Sequence, residues 1–140
     1  MMLLSISEQF YKSLIYDDRY KYLLTGLGNT IIMAICAVLI GALIGLLIAI
    51  IRTYHDNTNK MKVLNWLAKM YVTVIRGTPV LLQLMIIYYV IFASVNINVV
   101  LVGIVAFGLN SAAYVSEIIR AGIMSIDKGQ MEAGRALGLT

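Results

Sequence analysis

Three observations predict an all-α membrane protein with three transmembrane helices and a short polar helix near its C-terminus. Of the 140 residues, 61% are hydrophobic and 13% charged, a balance too apolar for a soluble domain. Two long stretches, 22–51 and 77–116, contain no charged residue. Between them lies a basic segment with Arg52, Lys60, Lys62, Lys69 and Arg76 against Asp56 alone. Crossings are expected at about 27–51, 71–93 and 99–120, and the polar helix at about 127–138.

Residues 1–21 form an N-terminal extracellular or interfacial segment. Leu3, Ile6, Phe10 and Leu14 keep a helical spacing opposite Glu8, Gln9, Lys12 and Ser13, and Tyr11, Tyr16, Tyr20 and Tyr22 crowd the first apolar run. An interfacial helix with an aromatic belt and a poorly ordered tail both fit this composition. No basic stretch precedes a short apolar core and a small-residue cleavage site, so the segment does not read as a signal peptide. In the first crossing, residues 30–51 alone suffice for a hydrocarbon layer of ~30 Å. Ala37, Gly41, Gly45 and Ala49 recur every fourth residue there. Such a stripe lets a neighbouring helix approach closely, although glycine is also commoner in membrane helices generally.

The N-terminal segment sets Lys12, Arg19 and Lys21 against Glu8, Asp17 and Asp18, so the basic excess belongs to the loop after the first crossing. By the positive-inside rule the N-terminus is outside and 52–76 cytoplasmic. Within 61–75, Leu64, Leu67, Tyr71 and Val74 oppose Asn65 and Lys69, with Trp66 suited to an interface; this is an amphipathic lead-in to the second crossing. Arg76-Gly77-Thr78-Pro79 then interrupts the helix, because Pro79 lacks an N–H and disfavours helical Thr78. The break reads either as a kink beside a translocation path or as the first turn of a new helical segment. Gln83, a turn further on, either bonds another helix or lines the path. The polar cluster at 94–98 separates the second and third crossings, and three crossings leave 120–140 in the cytoplasm.

On the third helix Asn110, Tyr114 and Glu117 share one face at i, i+4 and i+7. An ionisable group in or near a span is a functional candidate, and the competing reading pairs Glu117 with Arg120 at i, i+3. Asn110, the deepest of the three, is the preferred contact for a substrate. No metal-ligand cluster, nucleophile–base pair or phosphate-binding glycine loop is present, so no catalytic, cofactor-binding or metal-ligating residue is assigned and the chain does not read as an enzyme. Cys36 is alone in an apolar run and reads as a packing residue; His55, beside Asp56 and Asn57, reads as solvated. Basic residues without interleaved aromatics exclude a nucleic-acid site.

The last polar stretch has both ends specified. Asp127 with Gln130 three residues on forms a capping-box pattern, and Gly138 supplies a left-handed stop. Met131, Gly134 and Gly138 make one face small and apolar, while Lys128 and Arg135 remain available to a partner. A helix of about ten residues is not stable alone and needs a groove.

Glu132-Ala133-Gly134, followed after three residues by Gly138, resembles the start of the EAA loop of type I ABC importer permeases. Residues 76–84, Arg-Gly-Thr-Pro-Val-Leu-Leu-Gln-Leu, and 112–123, Ala-Ala-Tyr-Val-Ser-Glu-Ile-Ile-Arg-Ala-Gly-Ile, resemble that family's polar amino-acid branch. The likeness runs from about residue 25 to the last. It implies that 22–140 is an ABC transmembrane type-1 domain in the cell (plasma or inner) membrane. It also implies that Gly129, Glu132, Ala133, Gly134, Arg135 and Gly138 engage a separate ATPase. That subunit would hold ATP and Mg, and this chain no cofactor. The other implied partners are a second permease copy or a related permease, an extracellular or periplasmic amino-acid binding protein, the amino-acid substrate and membrane lipid. Gly134 stands where the family usually has Ala, and the loop's closing Ile-x-Leu-Pro lies beyond Thr140, so the resemblance implies a fragment. A small homo-oligomeric channel or a structural membrane subunit would show similar apolar helices, but would leave the capped helix without a role.

Overall fold

The computed structural model describes residues 8, 11 and 15–138. After a 3-10 turn at Tyr16–Asp18, helix α1 runs over Arg19–Thr58, α2 over Lys62–Gly77 and α3 over Val80–Ile86, which continues as a π turn, Ile87–Ile91. Helix α4 spans Val99–Met124 and α5 Lys128–Ala136. Leu3, Ile6, Phe10 and Leu14, on which the expected interfacial helix rests, lie outside the described residues.

Helix α1 has 40 residues, about 60 Å of helix and well beyond the predicted crossing at both ends. Nothing after residue 51 breaks it until Asn59, which turns left-handed (φ 58°) and donates its backbone N–H to the His55 carbonyl at 2.8 Å. Asn is the residue after Gly that best tolerates this conformation.

The second predicted crossing, 71–93, is two helices meeting at 110° across Thr78–Pro79, where the sequence places an interruption. Thr78 is extended (φ −120°, ψ 145°) because the pyrrolidine ring of Pro79 excludes helical geometry from the residue before it. Among the described residues, α1 and α4 are each long and apolar enough to cross a membrane; the bent pair makes a third crossing only if counted as one span. Asn98 caps α4 by accepting the Val100 N–H at 2.8 Å, close to the predicted break.

Helices α1 and α4 form the main seam and run parallel. Met33 lies against Gly103, Ala37 and Ile40 against Gly108, Gly41 against Ser111 and Gly45 against Val115, with both numbers rising together. A Cβ placed on Gly41 would sit 2.6 Å from the Ser111 Cβ, and one on Gly45 2.9 Å from the Ala112 carbonyl oxygen. The absent side chains are therefore what lets the two backbones meet. Ala49 and Ala112 are fully buried in this seam, whereas Val38, Leu43 and Leu47 of α1 are each more than 60% exposed. Small residues inside and large apolar ones outside is the arrangement suited to lipid, where close van der Waals packing replaces the hydrophobic effect. A second cluster joins Ile87 of the π turn to Val102 and Ala106 of α4, with Leu84, Tyr88, Phe92, Ile97 and Leu109 around it.

Candidate functional site

The α2–α3 corner exposes carbonyls that a continuous helix would have satisfied. Gln83, buried one turn into α3, turns its amide back on them. Its Nε2 lies 2.7 Å from the Ile75 carbonyl, 3.1 Å from the Thr78 carbonyl and 2.7 Å from the Thr78 hydroxyl. Asn110 of α4 donates to the Gln83 Oε1 at 3.1 Å. Two of the candidate path residues are thus joined to each other, and Gln83 spends its donors on the backbone. The Tyr71 hydroxyl adds a second tie from α2 to α4, donating to the Leu109 carbonyl at 2.5 Å. In the middle of α4, Phe107, Asn110 and Tyr114 border an open cleft of about 530 Å³ against Thr30 and Met33 of α1.

Glu117 does not pair with Arg120. Its Oε1 accepts from the Arg52 guanidinium of α1, and its Oε2 lies 3.6 Å from Arg76 Nη1 at the end of α2. Arg120 instead reaches α1, donating to Asp56 from Nε at 3.0 Å and from Nη2 at 2.8 Å. The parallel register explains the exchange: Arg52 with Glu117 and, a turn further along both helices, Asp56 with Arg120. One carboxylate therefore joins three helices, and its side chain is only 26% exposed, against 11% for Arg52. Opposite charges shielded from water in this way attract more strongly than a surface pair, and each would be costly to leave unpaired. The Arg76 guanidinium also lies 5.4 Å from the centre of the Tyr114 ring.

Arg52 and Asp56 were not singled out from the sequence. Their signal was present: Arg52 is the first charge after one apolar run and Glu117 the first after the next, so two opposite charges mark one end of the same bundle.

Beyond α4 the chain turns at 125–127 into α5. The Asp127 carboxylate accepts the Gly129 N–H at 2.8 Å, and Gly138 closes the helix with φ 77°, donating to the Arg135 carbonyl at 3.0 Å. Glu132 and Arg135 are exposed, Ala133 with them. A Cβ on Gly134 or Gly138 would meet nothing within 4 Å, so the small face of α5 is open. Because α1 and α4 are parallel, α5 emerges from the bundle end that carries the basic loop.

The family described as binding-protein-dependent transport system inner membrane component matches residues 41–140. The chain belongs to that family. It is 43% identical over 126 residues to the "Putative glutamine transport system permease protein GlnP" of Rickettsia prowazekii (strain Madrid E), covering 89% of this chain and 56% of that protein. It is 41% identical over 120 residues to the arginine transport system permease protein ArtQ of Bacillus subtilis (strain 168), covering 84% of this chain and 52% of that one. A solved structure described as an amino acid ABC transporter with histidines superposes with a TM-score of 0.73 at 39% identity, over all of this chain and 60% of that one. The chain thus spans about half the length of the curated relatives it matches. The all-helical fold of this chain, with two or three helices apolar enough for a membrane, matches the fold of that transporter.

Proposed function

We propose that this chain is part of the membrane-spanning permease subunit of an ATP-driven ABC importer that moves polar amino acids by alternating access. The observation that carries this reading is α5: a capped polar helix with an open small face, bearing Glu132, Ala133, Gly134 and Gly138, that follows directly on α4. Helix α5 lies in the cytoplasm and docks in a groove of a separate ATPase, which holds ATP and Mg. Glu132 and Arg135 orient it by charge-assisted bonds, and Gly129, Gly134 and Gly138 allow close contact. Movement of α5 is carried by α4 into α1 and α2 through the Glu117 and Arg120 ion pairs. Asn110 and Tyr114 face the substrate path, while Gln83 holds the corner that borders it. A substrate-loaded binding protein docks on the opposite, outer side, and a second permease, identical or related, completes the path.

The test uses the complete importer, permease with ATPase and binding protein, in proteoliposomes. Glu132→Ala or Gly138→Val abolishes ATP-dependent amino-acid uptake while the permease keeps its helical circular dichroism. Undiminished uptake in both variants would refute the role of α5, and ion flux in the absence of ATP would replace the importer with a channel.

A further inference from the structure

Helix α2 has two exposed faces of opposite character. Val63, Leu67, Met70 and Val74 share one face and are between 47% and 74% exposed, with Trp66 beside them at 58%. Lys62, Lys69, Thr73 and Arg76 share another. Because α2 meets α3 at 110°, it cannot run along the same axis as the segment that follows it. An amphipathic helix set across the bundle axis at the end of two apolar runs fits the membrane surface, with its apolar face among acyl chains.

Beside that helix lies a cleft of about 440 Å³, lined by Arg52, Lys69, Thr73, Arg76, Tyr114 and Glu117. Three cations meet one carboxylate there. Glu117 satisfies Arg52 with one oxygen and leaves Arg76 at 3.6 Å, with the Arg76 side chain still 44% exposed. Lys69 is exposed and has no acidic partner among the described residues. The cleft therefore carries uncompensated positive charge and two open cationic side chains, a planar fork and an ammonium, both suited to phosphate oxygens. A free phosphate would satisfy that charge but would leave the adjoining apolar face bare. An amphiphile satisfies both.

We propose that this cleft seats the phosphate headgroup of an anionic membrane phospholipid, with Lys69 and Arg76 on the phosphate and the acyl chains along Val63, Leu67, Met70 and Val74. The site rests on the membrane placement of the bundle given above. It fixes α2 at the membrane surface next to the Glu117 junction, so lipid charge bears on the same ion pairs that link α1, α2 and α4.

Trp66 is the only tryptophan of the chain and lies one turn before Lys69, which makes it a direct reporter. The purified protein is placed in phosphatidylcholine vesicles containing a low mole fraction of either brominated phosphatidylglycerol or brominated phosphatidylcholine, and quenching of Trp66 is compared. The expected result is markedly stronger quenching by the phosphatidylglycerol. Lys69→Gln lowers that preference about five-fold, the effect of one cation near a charged headgroup. Lys62→Gln, the same charge change on the same helix outside the cleft, lowers the preference clearly less; an equal loss in both variants would mean diffuse attraction to the surface and would overturn the headgroup site. Equal quenching by both lipids would overturn the headgroup site while leaving α2 at the membrane. No quenching by either would overturn the membrane placement itself. Reversal of the preference by millimolar inorganic phosphate would make this a free-anion site and overturn the lipid assignment.

Discussion

Gly45→Ala adds a single methyl group where a seam glycine of α1 comes closest to the backbone of α4. The new Cβ would lie 2.9 Å from the Ala112 carbonyl oxygen and 2.9 Å from the Cβ and Cγ1 of Val115. Comfortable carbon contacts begin near 3.5 Å, so the helices must retreat by roughly half an ångström, enough to forfeit about a quarter of each contact's well along the seam. One of the obstacles is backbone and cannot rotate away. In a soluble helix the better propensity of Ala, worth about 1 kcal/mol over Gly, would offset this. In a bilayer both the packed and the separated helices keep their backbone bonds, so that compensation is lost. The full overpacking cost of about 1–3 kcal/mol should therefore appear as easier separation of α1 from α4. Energy transfer between labels on the two helices during titration of mixed micelles with SDS reads it directly. Gly28→Ala is the control, since a Cβ there meets nothing within 4 Å. A Gly45→Ala protein that separates at the same SDS fraction as Gly28→Ala would refute the close-approach argument.

Other consequences follow from individual bonds. Gln83→Leu strips the Ile75 and Thr78 carbonyls and Asn110 of their partner, and thermal unfolding in detergent should show a loss of about 1–3 kcal/mol; unchanged stability would mean water replaces the amide. Glu117→Gln leaves Arg52 without its carboxylate and should cost roughly 1–3 kcal/mol, less than the ~3–5 of a fully buried pair because Glu117 keeps 26% exposure. Partial recovery in the Arg52→Glu, Glu117→Arg double variant checks that the pair itself is responsible. Asp127→Ala removes the cap of α5 and should cost that helix about 1 kcal/mol, seen as faster hydrogen exchange over 129–136 with α4 unaffected.

Much of the fold was legible because the bilayer leaves few options. Two charge-free stretches locate α1 and α4, the Ala37–Gly41–Gly45–Ala49 stripe lies against α4, and Asp127 and Gly138 mark the ends of α5. What escaped was geometry set by distant residues. Proline announces that a helix stops at Thr78, but the 110° turn depends on where α4 receives α3 and on Gln83 bonding back across the corner. Local spacing offers Arg120 to Glu117, yet the partner that arrives is Arg52, 65 positions away, because α1 and α4 lie parallel in one register. Charge ends the first predicted crossing at residue 51, and the helix itself continues until Asn59 turns left-handed.

Coupling in the proposed importer requires α5 on the cytoplasmic side, where an ATPase can drive it. In a Cys36→Ser background, Glu132→Cys gives one thiol on the exposed face of α5, and a membrane-impermeant maleimide reports which side it faces. The expected result is no labelling of intact cells and full labelling once they are permeabilised. Labelling of intact cells would put α5 outside, beyond the reach of any ATPase, and would contradict the proposed mechanism.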